Sequence, residues 1–503
     1  MSPAAGSLLR KRGWLACVLV LVALQAARLF QAARTETQTW DEGLHLASGY
    51  MFLVTGEYRL DVEHPPLGRI LNALPLVGLS LDPHLTGKAW ADGDAVEQGR
   101  ALLYAQPSHA AEEILLRARL VTVGLTALLS LVMAFWMRTR FGEPAALLSV
   151  FLTTLDPNLS AHGHYVTTDF IAAATAFLTV IAFDGFIRRR TWPSTLMVGL
   201  ALGVALSSKF STLFLLPALL LVWLLSRPDW KAMPLQAAVM LLVASAIVAE
   251  HQQFGHPAYM LGQVYRNGRW EYFPFVFLVK SPLGALLLAL LAAGVLWRAW
   301  RREWLVLALP LLVYWGLSIT SGINIGVRHL LPVYPLMYAL IGAMLWVNGR
   351  ALYGKALPPL VGVACGLVLL ETARIAPRDI AFFNLAAGGP ENGPKLLGDS
   401  NLDWGQDLGA LRQWAASRGI SSMCVHYFGT ADKGYYGFPD GAAKDGSCRY
   451  VAASMTLLQG VYPGEGSYDW LRARTPIARV GWSINIYDMG GTDGATSPRP
   501  ERQ

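Results

Sequence analysis

The chain is 503 residues long, 54% hydrophobic and only 15% charged, with a formal net charge of +7 and a mean hydropathy of +0.38. A water-soluble chain carries roughly a quarter of its residues as charges, so this composition excludes an ordinary soluble domain and points to a polytopic membrane protein. The basic residues cluster in short connectors between apolar runs rather than forming a stripe, which argues against a nucleic-acid partner.

Apolar windows of about 17 to 25 residues have the length of a membrane-spanning helix, and about eleven are expected here. They lie near 14–33, 115–137, 144–160, 166–187, 194–208, 211–226, 234–250, 274–297, 303–320, 329–347 and 356–374. The first follows Arg10, Lys11 and Arg12. It is longer than the apolar core of a cleavable leader and has no convincing small-residue cleavage site, so it reads as an uncleaved anchor. Arg138 and Arg140, Arg188 to Arg190, Arg227 and Lys231, Arg298 with Arg301 and Arg302, and Arg350 with Lys355 fall in every second connector. The positive-inside rule makes those connectors and the N-terminus cytoplasmic. An odd number of spans then puts a long first loop (34–114), the segments near 156–165, 208–211, 251–273 and 321–328, and everything from 375 onward on the outer side. Within 194–226, Ser207, Ser208 and Lys209 interrupt the apolar run, and two short helices are expected because the basic connectors keep alternating downstream.

The polar residues that could carry chemistry all fall on that outer side. Asp41 and Glu42, in Trp40-Asp41-Glu42-Gly43, stand just beyond the first window. A carboxylate at the membrane surface can act as general base on an acceptor hydroxyl or amine, although such a pair also occurs as a solvated loop start. In Glu63-His64-Pro65-Pro66-Leu67-Gly68-Arg69 the prolines can open a helix, and the apolar run 67–81 is too short to span and reads as lying along the interface. Glu63 and His64 are then metal ligands or groups beside a phosphate, or equally a helix cap with a neutral imidazole, since a lone Glu-His pair is not a metal motif. Asp156, Pro157, Asn158, His162, His164, Thr167, Thr168 and Asp169 gather at the mouth of the next helices. Asp169 stands near a helix start, where capping alone favours an acid, yet two histidines and two carboxylates so close together exceed what capping needs. Lys209 and the pair Arg328 and His329 break apolar surroundings where a cation could meet an anion, arginine bidentately with phosphate; snorkelling of a long side chain is the alternative.

From 375 the composition shifts to Gly, Asp, Asn and polar aromatics, and a small soluble α/β domain is expected over 375–490, with 491–503 disordered. It contains a helical pattern through Leu411 and Trp414 to Arg418 and Gly419, and β-like runs at 422–427 and 477–487. Cys424 and Cys448 share this region and could pair in an oxidising compartment, whereas Cys17 and Cys365 lie in apolar runs and read as inert. No glycine-rich nucleotide loop is convincing, which disfavours a nucleotide ligand.

These residues, in this order and on one membrane side, resemble the GT-C glycosyltransferases of the protein-O-mannosyltransferase and aminoarabinose-transferase superfamily, bacterial family-39-like enzymes that use a polyprenyl-phosphate sugar. The resemblance spans roughly 38–335. It rests on Asp41-Glu42, the His64-Pro65-Pro66-Leu67-Gly68-Arg69 run, Thr167-Thr168-Asp169, Ser207-Ser208-Lys209-Phe210-Ser211 and Gly326-Val327-Arg328-His329-Leu330-Leu331-Pro332. It implies an α-helical polytopic GT-C domain over 1–374 with an extracytoplasmic tail domain, in the bacterial inner membrane. The implied activity is inverting transfer of a monosaccharide from a polyprenyl-phosphate donor to a lipid, glycan or protein acceptor. In that scheme Asp41 is the leading candidate for the base, with Glu42 beside it. Asp169 is the second acid, near the donor phosphate or a metal, and Lys209, Arg328 and His329 hold the phosphate. A divalent metal ion is the one cofactor to consider, with Glu63, His64 and Asp169 as candidate ligands. The aminoarabinose enzymes carry Glu-Lys-Pro-Pro where this chain has Glu63-His64-Pro65-Pro66, so a charge-based phosphate role at His64 loses its support.

The tail lacks the β-trefoil repeats of eukaryotic mannosyltransferases. Its Phe383-Asn384, Gly388-Gly389-Pro390 and Asp399-Ser400-Asn401-Leu402-Asp403-Trp404-Gly405-Gln406-Asp407 runs resemble tails of uncharacterised bacterial members, and read either as a capped helix start with a structural tryptophan or as acceptor binding over the active-site mouth. A transporter or flippase moving a lipid-linked sugar without cleavage is the rival class. Such proteins commonly place polar sites near the bilayer midplane between inverted repeats, whereas the polar residues here gather at one face.

Overall fold

In lipid, backbone N–H and C=O groups must be satisfied within their own segment, and the apolar runs accordingly fold as helices. The computed structural model describes residues 3–61, 63–226, 233–245, 257–438, 448–463 and 466–490. Arg227, Lys231, the end of the 234–250 window and the expected disordered end 491–503 lie outside the described residues.

Among the described residues five helical stretches are long and apolar enough to cross a bilayer: Gly13–Thr35, Ala111–Phe141, Thr168–Arg189, Arg302–Ile319 and Val333–Ile375. A sixth arises if Tyr272–Lys280 and Leu283–Arg298, bent by 113°, form one span. Each of the eleven windows holds helix among the described residues, but several of those helices are too short to pass as a span alone, so a count of eleven spans is not confirmed. The 144–160 window breaks into Glu143–Leu155 and Pro157–His162, because Pro157 has no N–H to continue the ladder and the Asp156 carboxylate caps the new helix by accepting from Leu159 N at 2.7 Å. The 194–226 region forms two short helices, Trp192–Leu206 and Leu215–Leu225, separated by a 3₁₀ turn, as the interruption at Ser207 to Lys209 suggests. The last two windows lie in a single helical stretch broken at Gly354, whose φ is +56°.

The first helix packs on Ala111–Phe141 and Glu143–Leu155, and the latter also packs on Val333–Met344. Large aromatics such as Trp304, Tyr338 and Phe177 fill the interior, while Leu290 and Trp297 face outward, the inverse of a soluble surface and suited to lipid. The first loop has its own apolar core, in which Leu46 and Tyr50 of the helix Glu42–Thr55 meet Leu76, Trp90 and Leu102.

The tail holds a four-stranded sheet. With the ribbon β1 (Ala258–Met260) and β2 (Gln263–Tyr265) earlier in the chain, its strands are β3 (Cys424–His426), β4 (Tyr450–Ser454), β5 (Ala478–Val480) and β6 (Ile484–Asp488), in the order β3-β4-β6-β5. β3 and β4 are parallel and the other pairs antiparallel. The helix Leu408–Ser417 packs on this sheet through Leu408, Leu411 and Trp414. The run 477–487 is thus two strands, turned at Gly481 and Trp482, both at positive φ. Cys424 and Cys448 form a disulfide with Cα atoms 5.8 Å apart, tying β3 to the start of β4.

Candidate active site

Four candidate residues from four separate elements meet. Asp41 stands at the N-terminus of Glu42–Thr55 without capping it, and its Oδ2 accepts from Arg328 Nη1 at 2.5 Å. The same nitrogen lies 3.7 Å from Asp169 Oδ2, and Asp169 Oδ1 accepts from the Lys209 ammonium. Asp169, in the first turn of Thr168–Arg189, is 2% exposed and makes no side-chain cap, so ion pairing is its role in the fold. The result is an alternating chain of acid and base, Asp41–Arg328–Asp169–Lys209. Burial would lower the Arg328 pKa, but the charges of Asp41 and Asp169 overcome it and push it above its ordinary value. His329 is different in kind: burial, then the Lys209 and Arg328 charges, hold it well below the ordinary histidine value. Its surroundings favour the neutral imidazole.

Glu42 does not share the site with Asp41. Arg119 grips it through both oxygens at 2.8 and 2.6 Å, and the N–H groups of Thr39 and Val166 donate to it at 2.8 and 2.9 Å. Burial alone would raise this carboxyl, but the Arg119 charge and these hydrogen bonds hold it below the usual carboxylate range. Arg119 also donates to the carbonyls of Ala33, Glu36 and Thr37. Glu42 is therefore engaged by Arg119, apart from the Asp41–Arg328 pair, and clamps the segment that presents Asp41. The expected metal set of Glu63, His64 and Asp169 is likewise not one that the fold assembles. Glu63 is exposed, Asp169 is engaged by two cations, and His64 Nδ1 turns to Asp61 at 3.1 Å.

The tail builds the remaining wall. Trp404, 1% exposed, lies under Arg328, whose guanidinium carbon is 4.4 Å from its ring centre. Its loop is stitched to the segment leading into Asp41: Trp40 N donates to Trp404 O at 2.8 Å, and Thr37 N to Gln406 O at 2.9 Å. Asp407, at the helix start, makes no side-chain cap, so a simple capped helix is not what this motif encodes. Asn401 Oδ1 accepts from Val327 N at 2.9 Å, fixing the turn that carries Arg328. Lys280 donates to the carbonyls of Ile380 and Asn401 at 2.9 and 2.7 Å, and the Tyr462 hydroxyl donates to Asp399. His162 packs 5.8 Å from the Trp404 ring; burial brings its pKa down to about 3, so it too is neutral.

Residues 113–251 match the family model described as dolichyl-phosphate-mannose-protein mannosyltransferase. The crystal structure of ArnT from Cupriavidus metallidurans in the apo state matches with a TM-score of 0.52 at 14% identity, over 95% of this chain and 98% of that one. The chain has an ArnT-like fold. The same ArnT bound to undecaprenyl phosphate matches with a TM-score of 0.51 at 14% identity, over 94% and 97% of the two chains. The S. cerevisiae protein O-mannosyltransferase Pmt1-Pmt2 complex bound to the sugar donor is 21% identical, with a TM-score of 0.34 and coverage of 46% of this chain and 32% of that one; a similarity that loose carries no structural argument. No curated protein matches the sequence.

The sequence reading leaves out Arg119 and Lys280 and names Asp399 and Trp404 only within the tail motif. Arg119 and Lys280 carried a signal, a lone cation inside an apolar run. Asp399 and Trp404 stood inside a motif that was noticed but had no spatial address.

Proposed function

We propose that this protein is a multi-pass membrane glycosyltransferase that moves a monosaccharide from a polyprenyl-phosphate donor to a lipid, glycan or protein acceptor, inverting the anomeric centre. The observation that carries the reading is the Asp41–Arg328–Asp169–Lys209 chain, in which two cations and two carboxylates from distant segments share one place. A donor phosphate entering between Lys209 and Arg328 competes with those carboxylates and releases Asp41 from its ion pair. Asp41 then takes the proton from the acceptor hydroxyl or amine as the nucleophile bonds to the anomeric carbon. The anomeric C–O bond breaks, and its electron pair leaves with polyprenyl phosphate, whose charge Lys209 and Arg328 stabilise. Support also comes from the fold shared with an ArnT structure that holds undecaprenyl phosphate.

The reading places the protein in the bacterial inner membrane with its N-terminus inside, the catalytic part over 1–374, and the sheet domain over 375–490 in the periplasm, where the Cys424–Cys448 disulfide is stable. The test uses membranes carrying the full chain and a panel of labelled undecaprenyl-phosphate hexoses and pentoses. Transfer is expected from at least one donor, and Asp41→Asn should lower it by about 10²- to 10⁴-fold. Undiminished transfer by Asp41→Asn, or movement of the donor across the bilayer without cleavage, would sink the proposal.

A further inference from the structure

A second polar cluster lies one helical turn behind Asp41. His45, whose N–H donates to Asp41 O at 3.1 Å, projects from Glu42–Thr55 toward the corner that contains Asp61 and His64. His45 Nδ1 is 3.4 Å from Asp61 Oδ2, and His64 Nδ1 is 3.1 Å from Asp61 Oδ1. One ligand atom from each of the three residues falls within 4.8 Å of the others. Asp61, 8% exposed, is ion-paired through Oδ2 with Arg69 Nη1, but His45, 2% exposed, has an Nδ1 that makes no well-formed hydrogen bond among the described residues. Buried polar atoms left this way are costly unless something satisfies them.

We propose that His45, Asp61 and His64 bind one divalent transition-metal ion of the zinc type. Two imidazoles and a carboxylate form a three-ligand set with room for one further oxygen. Ligand bonds of about 2.0–2.1 Å in a tetrahedron set ligand atoms roughly 3.3–3.4 Å apart; each imidazole is near that spacing from a different oxygen of Asp61, and a small rotation of the side chains would bring one atom of each residue, already within 4.8 Å of the others, onto one ion. The carboxylate is held in place by Glu63 N and His64 N, which donate to Oδ1 at 3.1 and 3.3 Å.

Arg69 decides which ion. Its Nη1 lies 3.0 Å from Asp61 Oδ2 and donates to Asp61 O at 2.8 Å, while Nη2 bonds the Tyr58 hydroxyl and His64 O. This guanidinium offsets the carboxylate charge, so affinity falls on the two imidazoles. Zinc or cobalt suits that set; magnesium and calcium, which need several oxygens, do not. The ion would cross-link the helix that begins beside Asp41 to the corner at 58–69. The backbones already touch there: a Cβ at Gly49 would lie 2.2 Å from Arg69 O.

The test uses the full chain without a histidine tag, stripped with EDTA in detergent and titrated with Zn²⁺ alone and with Co²⁺ alone. Elemental analysis should give about one ion per chain, Co²⁺ should develop a visible spectrum that Zn²⁺ abolishes, and Mg²⁺ in excess should not compete. His64→Ala and His45→Gln should each weaken binding by at least about tenfold, and Zn²⁺ should raise the melting temperature of the native chain but not of the double variant. The His64 ring is partly exposed, so His64→Ala decides the matter even if His45→Gln does not fold. No binding by the native chain, or native stoichiometry in the variants, overturns the proposal. The readout is bound metal rather than transferred sugar, so it stands or falls separately from the glycosyltransferase reading.

Discussion

Glu42 is fully buried and held through both oxygens by Arg119, whereas Asp41, one residue earlier, keeps 20% of its side chain exposed and meets Arg328. Breaking a buried pair leaves an uncompensated charge, which costs about 3–5 kcal/mol. Glu42→Gln is therefore expected to lower the melting temperature and the yield of folded protein. Asp41→Asn leaves Arg328 beside Asp169 and should melt like the native chain while losing transfer. Thermal melts of the two variants, measured alongside sugar transfer, separate the clamp from the base; equal losses of stability would refute the distinction.

At the scale of elements, two turns meet: the one carrying Arg328 and the tail loop carrying Trp404. Gly326 has φ +139°, and a Cβ there would fall 2.3 Å from Ser400 Oγ, so only glycine lets the turns approach this closely. Gly326→Ala should cost about 1–3 kcal/mol and reduce transfer, because the turn that orients Arg328 must move. Trp404→Leu removes the aromatic floor under the guanidinium, a contact worth about 0.5–2 kcal/mol. Donor KM should rise by up to about tenfold while the disulfide-linked sheet stays folded, and Trp404→Phe should recover part of the loss. A normal donor KM for Trp404→Leu would show that the tryptophan only fills space.

Across the whole molecule, the tail is set apart by buried acids that hold its own segments together. Burial raises the Asp403 carboxyl to about 8 and the Asp407 carboxyl to about 7. Asp403 accepts from Thr456 N at 2.9 Å, and Asp407 accepts from Ser483 Oγ at 2.7 Å. A carboxyl raised in the folded state favours folding when protonated; that contribution is complete below the ordinary carboxylate range and is lost as pH rises through about 7 and about 8. The melting temperature of the full chain should therefore fall from about pH 4 to about pH 8 and level off above that, and Asp403→Asn should flatten the slope. A slope unaltered in that variant would assign the pH dependence elsewhere.

Hydropathy and spacing were enough to establish a helical membrane protein with a sheet-bearing tail, and to pick out Asp41, Asp169, Lys209 and Arg328, because desolvation makes a charge in an apolar context conspicuous within a few residues. The same signals did not yield the number of spans, since a proline or a left-handed glycine can break or join apolar windows of equal hydropathy. Nor could they separate Asp41 from Glu42, bring His45 and Asp61 beside His64, or place Trp404 beneath Arg328. Those outcomes depend on pairs such as Asp41 with Arg328, 287 residues apart. Local patterning fixes which segments leave water, but only tertiary packing decides which buried charge finds a partner and which is left to meet a substrate.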